Sequence, residues 1–354
     1  MVAFLLLVIR SMYNASMIVN IYQLLVPHHR RILISIRTIL YSTLVATSFP
    51  KCVDKVWTES SRKRKANETF IHRHEFPQCK FTPIEEGGSV PVIFIVNGRS
   101  GSDATWATLS TLAGGRSALG EHTGENQVRT MDFLGSMTEE EGAWWVTEHL
   151  CQFAHRHCDK PLAAFKWKPF VDSFNLPAAQ GMLKKIAAFD QPSRIKVVFM
   201  TRNPLDVLIS KIKHKKSKRE IENEIAAHCA VDDKECIEKQ KQVGSGLQLP
   251  TQSLLKDLKD SLEAFSVFED TLETMNVAHV KTSYEELYNR DDAEEWMNIF
   301  RYLGRGPTKN LTMSDVIGSF ALAPTFQNNH NESLANYVEV RDLLMGTEFE
   351  KLLH

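Results

Sequence analysis

The sequence lacks an excess of charge of either sign. Its 42 lysines and arginines nearly balance 43 aspartates and glutamates, which gives a formal net charge of -1 and a pI of about 6.9. Dedicated nucleic-acid-binding domains are usually basic, so this balance argues against that class. The chain has 354 residues, of which 43% are apolar, and can bury a full core. An anionic ligand must therefore be met by local clusters of positive charge.

Cysteine is scarce, and its spacing does not match the common zinc motifs. Four of the six cysteines form two pairs with C-x6-C spacing. Cys229 and Cys236 flank a polar, loop-like stretch that could close a disulfide. Cys151 and Cys158 fall in a predicted helix, where seven residues span about 10.5 Å, beyond the roughly 7 Å that a disulfide can bridge. That pair needs a helix break, or it stays reduced. One disulfide gives weak support to a secretory compartment.

No acidic residue precedes Asp54, and residues 1–50 are much more apolar than the rest. The run 32–49 has a length of about 18 residues, near the lower limit for a membrane span. Basic residues at 28–31 favour a cytoplasmic N-terminus and a lumenal C-terminal domain. We expect residues 1–50 to be a membrane anchor and residues 51–89 a stem or linker. The alternative for 1–50 is a targeting segment of a soluble organelle enzyme.

From residue 90 onward, apolar runs alternate with helical patterns, and no internal repeat or low-complexity segment interrupts them. Pro91–Val96 and Ile195–Thr201 are typical of strands buried on both faces. Shorter strands are predicted at 162–165 and 277–281. Helices are predicted at 103–113, 139–156, 178–189, 251–275 and after Pro204. This alternation predicts an α/β domain over residues 90–354, a three-layer fold with a central parallel sheet flanked by helices.

A glycine-containing loop, Asn97–Thr105, lies between the first predicted strand and its helix. Its glycines allow a tight turn, after which backbone amides and the helix N-terminus can bind phosphate or sulfate. Arg99 adds a positive charge, and two serines add hydroxyl donors. The lysine of the Walker A motif is missing, which disfavours a P-loop phosphotransferase. The candidate anion-binding residues of this loop are Arg99, Ser100, Gly101, Ser102, Asp103 and Ala104.

A second candidate anion site begins where the strand that ends at Thr201 stops. Arg202 should lie at the carboxyl edge of the sheet, where ligands bind in open α/β folds. Ser210 lies two turns into the next helix, on a face that can return to the same ligand. An arginine and a serine together suit a second phosphate. Asn203 is a good helix cap, and Pro204 suits the first helical position.

These two motifs resemble those of the P-loop sulfotransferase superfamily. The first family motif, a strand followed by R/K-S/T-G-S/T-T-x-L, is matched by Arg99–Ser102. The second, R-[ND]-P-x-[DA]-x-x-x-S, is matched by Arg202–Ser210. Val280–Leu287 resembles a late family strand that ends in Y-E-x-L. The resemblance covers about residues 90–354 and is to the Golgi carbohydrate branch. Asp103 departs from it, since the family usually has Ser or Thr there.

The resemblance implies a P-loop sulfotransferase architecture and transfer of a sulfuryl group from 3′-phosphoadenylyl sulfate (PAPS) to a hydroxyl or amine, without a metal. It implies a glycan or other hydroxyl-bearing acceptor, no nucleic acid, and a single-pass type II protein of the Golgi membrane with a lumenal catalytic domain. Residues 99–102 would bind the 5′-phosphosulfate, and Arg202 and Ser210 the 3′-phosphate. Arg99 would stabilise charge on the bridging oxygen. A relative that binds nucleotide or glycan without catalysis stays open, because Asp103 is acidic.

The acceptor must lose a proton as it attacks. By resemblance to the carbohydrate branch, the general base is Glu121. His122 is the alternative, since the cytosolic branch uses histidine. Lys166 and Lys168 end a predicted strand and would contact the donor or an anionic acceptor, or else lie in a solvated loop.

The C-terminal part of the chain carries two further candidates. The family often closes its nucleotide site with a C-terminal loop, which implies contacts from Asn328, His330 and Asn331. The basic run 211–219 could attract a polyanionic acceptor or form a solvated helix face.

Overall fold

The computed structural model describes residues 80–96, 98–115, 118–120, 135, 137–156, 158, 160–168, 175–188, 195–220, 229–320, 322–323 and 330–353. The strands are β1 (Val90–Val96), β2 (Ala118–Gly120), β3 (Leu162–Trp167), β4 (Lys196–Thr201) and β5 (His279–Ser283). The helices are α1 (Ser102–Leu112), α2 (Glu139–Arg156), α3 (Pro177–Ala187), α4 (Pro204–Glu220), α5 (Lys234–Gly244), α6 (Thr251–Thr274), α7 (Tyr284–Tyr288), α8 (Glu294–Leu303), α9 (Met313–Gly318), α10 (His330–Ser333) and α11 (Tyr337–Leu344), followed by a 3-10 helix (Glu350–Leu353).

The described strands form one parallel sheet in the order β2-β3-β1-β4-β5. From β1 the chain goes to the edge strand β2, returns to place β3 between them, and then crosses to add β4 and β5 on the other side of β1. Ligands of open α/β sheets bind at such a reversal, beyond the carboxyl ends of the strands. Val96 pairs with Met200, and Thr201 pairs with Ser283. The residues that follow β1, β4 and β5 therefore share one edge of the sheet.

Both faces of the sheet are covered, so its central strands are apolar on both sides. In β1, Ile93 and Ile95 face a core formed with α2 and α3, whereas Phe94 and Val96 face a core formed with α1 and α8. This alternation follows from the two-residue period of a strand. A third cluster packs α4 against α6, α11 and the 3-10 helix. The expectation of an α/β fold with a parallel sheet between helices is confirmed.

The expected membrane anchor, 1–50, and residues 51–79 of the expected linker lie outside the described residues. Within the part of the chain that is described, no helix has both the length and the apolar character needed to cross a bilayer. Phe81 packs into the core on the α2 side of the sheet.

All four cysteines among the described residues are disulfide-bonded. Cys229 and Cys236 pair with each other at a Cα–Cα distance of 5.6 Å, as their polar spacer predicts. Cys151 and Cys158 are also oxidised. The alternative that they stay reduced is therefore wrong, and α2 ends at Arg156, which leaves Cys158 outside the helix.

Candidate anion-binding site

The loop between β1 and α1 has a backbone that depends on one glycine. Gly101 has φ 82°, in the left-handed region. A Cβ at this position would lie 2.6 Å from Cε2 of Tyr284, so a side chain is excluded by the neighbour as well as by the backbone. Arg99 also has positive φ, at 70°, which is uncommon for a residue with a side chain. Strained backbone of this kind clusters at functional sites, and here it brings the N-terminus of α1 to the sheet edge.

The side chain of Arg99 reaches across the sheet edge to α4. Its Nε donates to Oγ of Ser210 at 3.2 Å. Burial lowers the pKa of Arg99, the charge of Asp103 opposes this, and the charge of Arg202 lowers it further. An arginine starts from so high a pKa that it stays charged. The structure therefore joins the two candidate sites, because a residue of the first motif contacts the serine of the second.

Arg202 is buried directly after β4, at the edge where its position in the sequence predicts it. Its Nη1 donates to the carbonyl oxygen of Arg99 at 3.2 Å. Its Cζ lies 4.2 Å above the centre of the Tyr284 ring, a cation–π geometry. Its Nε lies 3.9 Å from Oδ2 of Asp206, one turn along α4. These contacts fix the plane of the guanidinium group.

Asn203 ties the start of α4 to two distant elements. Its Oδ1 accepts from the backbone N–H of Leu205, which confirms it as the cap of the helix. Its own N–H donates to Oε1 of Glu285 at 2.9 Å, and its Nδ2 donates to the carbonyl of Leu352. Burial raises the pKa of Glu285, although the hydrogen bond from Asn203 opposes the shift. Glu285 therefore holds the backbone beside Arg202.

The segment that resembles Y-E-x-L supplies the wall of the site. Tyr284 stacks on Tyr288 with ring centres 4.3 Å apart, and the Tyr288 hydroxyl lies 3.2 Å from Oγ1 of Thr105 in α1. Tyr284 thus contacts the glycine of the first motif on one side and the arginine of the second on the other. The sequence marked this segment, but it did not indicate that its tyrosine lies between the two motifs.

Asp103 forms an ion pair with Lys166. Asp103 does not cap α1, because Gly101 is the cap residue and no side chain caps this helix. Lys166 lies inside β3 and is fully buried, so the alternative that it lies in a solvated loop is wrong. Burying an unpaired ammonium group is costly. Asp103 therefore neutralises a buried cation, and Lys166 in turn neutralises the acidic residue beside the loop.

Asp206 and His330 form a second buried polar pair. Nε2 of His330 lies 2.7 Å from Oδ1 of Asp206, and both side chains are almost fully buried. They are 124 residues apart in the sequence. This pairing places the start of α10 next to Asp206, which itself lies beside Arg202.

Lys213 adds a further cation near the site. It follows Ser210 by three residues, a spacing that places both on one face of α4. A Cβ on Gly244 would lie 3.0 Å from its Nζ, so the ammonium group occupies the space that this glycine leaves. Burial, together with the positive charge of Arg99, lowers the pKa of Lys213 to about 8. The sequence pointed to Lys213 only as part of the basic run 211–219 and to Asp206 only as a matched position of the second motif.

The other candidates are distributed as follows. Ser100 is buried in the loop, Ser102 is buried at the start of α1, and Ala104 is half-buried in the same helix. Lys168 follows β3 and is half-buried. The proposed bases, Glu121 and His122, and the candidate contact Asn328 lie outside the described residues. Asn331 is exposed in α10.

The fold and these contacts define an α/β protein with a cluster of cationic side chains at the topological reversal of its sheet. No protein-family model matches the chain, and no curated protein matches its sequence significantly.

Proposed function

We propose that this chain is a PAPS-dependent sulfotransferase of the P-loop architecture, which acts on a hydroxyl or amine of a carbohydrate. The observation that carries the proposal is the contact between Arg99 and Ser210. It brings together two residues that are 111 positions apart, one from each candidate motif, at the sheet edge where α/β proteins bind ligands. A donor with phosphates at both its 5′ and 3′ positions requires two such sites within the length of one nucleotide.

The residues present are suited to an oxygen-rich ligand. Arg99, Arg202 and Lys213 supply positive charge, and the N-terminus of α1 supplies backbone amides. The Ser100 hydroxyl is fully buried and has no hydrogen-bond partner among the described residues. Buried polar groups of this kind are rare in native proteins and call for an explanation. An anionic oxygen would supply the acceptor that this hydroxyl lacks.

We assign donor binding, stabilisation of charge and proton transfer to separate residues of the chain. Residues 99–102 hold the 5′-phosphosulfate, and Arg202 with Ser210 holds the 3′-phosphate. Arg99 stabilises the negative charge that develops on the oxygen between sulfur and phosphorus as that bond breaks. The attacking acceptor oxygen or nitrogen forms the new bond to sulfur and passes its proton to Glu121 or His122. Lys168 would contact the donor or an anionic acceptor, and Lys166 would neutralise Asp103 beside the loop.

The experiment is transfer of labelled sulfate from PAPS to a panel of glycans, with binding of the product nucleotide, adenosine 3′,5′-bisphosphate, measured in parallel. Arg202→Ala should weaken binding of that nucleotide by at least about tenfold, since it removes charged hydrogen bonds. Lys215→Ala is the control, because Lys215 is an exposed cation of the same helix. Tight binding by the wild type without any transfer would contradict catalysis and favour a non-catalytic nucleotide- or glycan-binding protein.

A P-loop phosphotransferase is the other enzymatic alternative, and it predicts phosphate transfer from ATP instead. The same preparation should therefore be tested with labelled ATP under the same conditions. We expect no transfer of label from ATP. Phosphate transfer that is lost in Arg202→Ala, without sulfate transfer, would replace the proposal with this alternative.

We also propose that the domain faces the lumen of the Golgi, on a single-pass type II anchor. The disulfide-bonded state of all four described cysteines supports an oxidising compartment. Asn310 and Asn331, each in a glycosylation triplet, are exposed. We expect both to carry glycans that an endoglycosidase removes and the domain to resist protease in intact vesicles. Unglycosylated protein in a mitochondrial fraction would favour the targeted soluble enzyme.

A further inference from the structure

Asp206 is an acidic residue that is buried beside Arg202 of the candidate anion site, and this position needs an explanation. Its side chain is 2% exposed and that of Arg202, four residues earlier, is 4% exposed. A buried carboxylate beside the arginine that should bind phosphate competes with the ligand for that arginine. Burying such a charge is also costly unless hydrogen bonds compensate it. The contacts of the two Asp206 oxygens show what limits the competition between this carboxylate and the ligand for Arg202.

The two oxygens of Asp206 face different partners. Oδ1 lies 2.7 Å from Nε2 of His330, and Oδ2 lies 3.9 Å from Nε of Arg202. An ionised carboxylate can only accept, so Nε2 of His330 is the donor. The distance to Arg202 is longer than a hydrogen bond allows. His330 thus holds the carboxylate in a rotation that leaves it near Arg202 without closing on it in a bidentate pair.

His330 can keep the Asp206 carboxylate in this orientation because the segment that contains His330 is anchored to the rest of the fold. The backbone of the segment that follows it pairs with Leu247, whose N–H donates to Ser333 and whose carbonyl accepts from Ala335. Leu334 is buried in the same cluster as Leu205 and Ile209 of α4. The start of α10 is therefore anchored to the helix that carries Asp206. Arg202 also contacts the carbonyl of Arg99 through its Nη1 and the ring of Tyr284 through the face of its guanidinium group.

We propose that His330 is a positioning residue, which acts through Asp206 to keep the guanidinium group of Arg202 directed at the ligand's second phosphate. This inference rests on the proposed function and gives the C-terminal segment a specific part in it. His330 does not need to contact the nucleotide. Without the hydrogen bond from His330, the Asp206 carboxylate is free to rotate onto Arg202. It would then occupy the edge of the guanidinium group that the phosphate requires.

The test compares two substitutions of His330, each of which keeps a different property of the histidine. His330→Phe keeps a planar ring and removes the donor, whereas His330→Gln keeps an N–H donor at a similar reach. Dissociation constants are measured by calorimetry for adenosine 3′,5′-bisphosphate and for adenosine 5′-phosphate, with thermal unfolding recorded for each protein. His330→Phe should weaken binding of the bisphosphate by about tenfold. It should change binding of the monophosphate by less than about threefold, and His330→Gln should restore most of the loss.

A double-mutant cycle tests whether His330 acts through Asp206. In an Asp206→Asn background, His330→Phe should have no further effect on bisphosphate binding, because the carboxylate that it restrains is gone. Independent, additive losses would overturn the inference. So would equal losses for both nucleotides that follow the melting temperature, since these indicate a purely structural role.

The outcomes separate this inference from the function on which it rests. If the wild type binds neither nucleotide, the proposed function fails and the inference fails with it. If the wild type binds the bisphosphate and His330→Phe binds it equally well, only the role of His330 is wrong.

Discussion

Lys213 is a residue whose charge the fold disfavours. Burial, with help from Arg99, lowers its pKa from 10.5 to about 8. Between these two values the unfolded chain holds a proton that the folded protein has released. The free energy of unfolding therefore rises with pH across this window. A ligand anion near Lys213 would favour the ammonium form and raise the pKa again.

Replacing Lys213 with methionine should remove this pH dependence. Without ligand, Lys213→Met should be more stable than the wild type at pH 7, and its advantage should shrink as the pH rises from 8 to 10.5. Urea unfolding of both proteins at several pH values measures the difference. Lys215→Met, at an exposed position of α4, is the control and should give no such trend. If the free energy of unfolding varied with pH in the same way for Lys213→Met and the wild type, the lowered pKa of Lys213 would be contradicted.

Gly101 is the residue on which the shape of the loop depends. Gly101→Ala should destabilise the fold by more than about 1 kcal/mol, because alanine disfavours positive φ. It should also push Tyr284 away from Arg202 and weaken binding of adenosine 3′,5′-bisphosphate. Gly87→Ala is a matched control: Gly87 has a similar φ of 90° but nothing within 4 Å of a new Cβ. Calorimetry and unfolding that give the same result for both variants would show that the contact with Tyr284 is unimportant.

At the level of elements, α2 and α3 pack closely enough to require glycine in both helices. A Cβ on Gly142 would clash with the backbone of Ala178, and one on Gly181 would clash with the backbone of Glu139. Gly181→Ala should therefore lower the free energy of unfolding by about 1–3 kcal/mol, the usual cost of overpacking. Gly318→Ala, at the open end of α9, should be nearly neutral. Urea denaturation of both variants tests this, and equal effects would argue against the close approach.

The elements themselves were largely predictable because their patterns are local. The sequence predicts β1 and β4 within one residue and α2 with the same bounds as the structure. It does not predict β2, whose three residues are too few to show a period, or α5, which is mostly polar. The later strand is displaced by two residues, from 277–281 to His279–Ser283.

The candidate site could be predicted only in part, because local sequence patterns do not show contacts between distant segments. Arg202 follows from its position after a strand, and the loop follows from its glycines. The partners of these residues come from distant segments, however. Lys166 lies 63 residues from Asp103, and His330 lies 124 residues from Asp206. No local pattern connects such pairs, so an acidic residue beside an anion loop could not be recognised as half of an ion pair.

At the level of the whole molecule, the candidate site joins parts of the chain that pack in different clusters. The loop after β1 borders the core on the α1 side of the sheet, whereas the start of α4 packs with the C-terminal segment. Contacts among Arg99, Arg202 and Ser210 connect these regions. A ligand that binds at this junction binds only the folded chain. Its free energy of binding is therefore added to the stability of the whole domain.

Adenosine 3′,5′-bisphosphate at one hundred times its dissociation constant should raise the free energy of unfolding by about 2.7 kcal/mol. Adenosine 5′-phosphate at the same concentration should add less, because it leaves the second anion site without a ligand. Ser210→Ala should reduce the increment given by the bisphosphate and leave that given by the monophosphate unchanged. Urea unfolding followed by the fluorescence of buried Trp106 and Trp296 measures these increments. Equal stabilisation by the two nucleotides would mean that Arg202 and Ser210 do not form a second phosphate site.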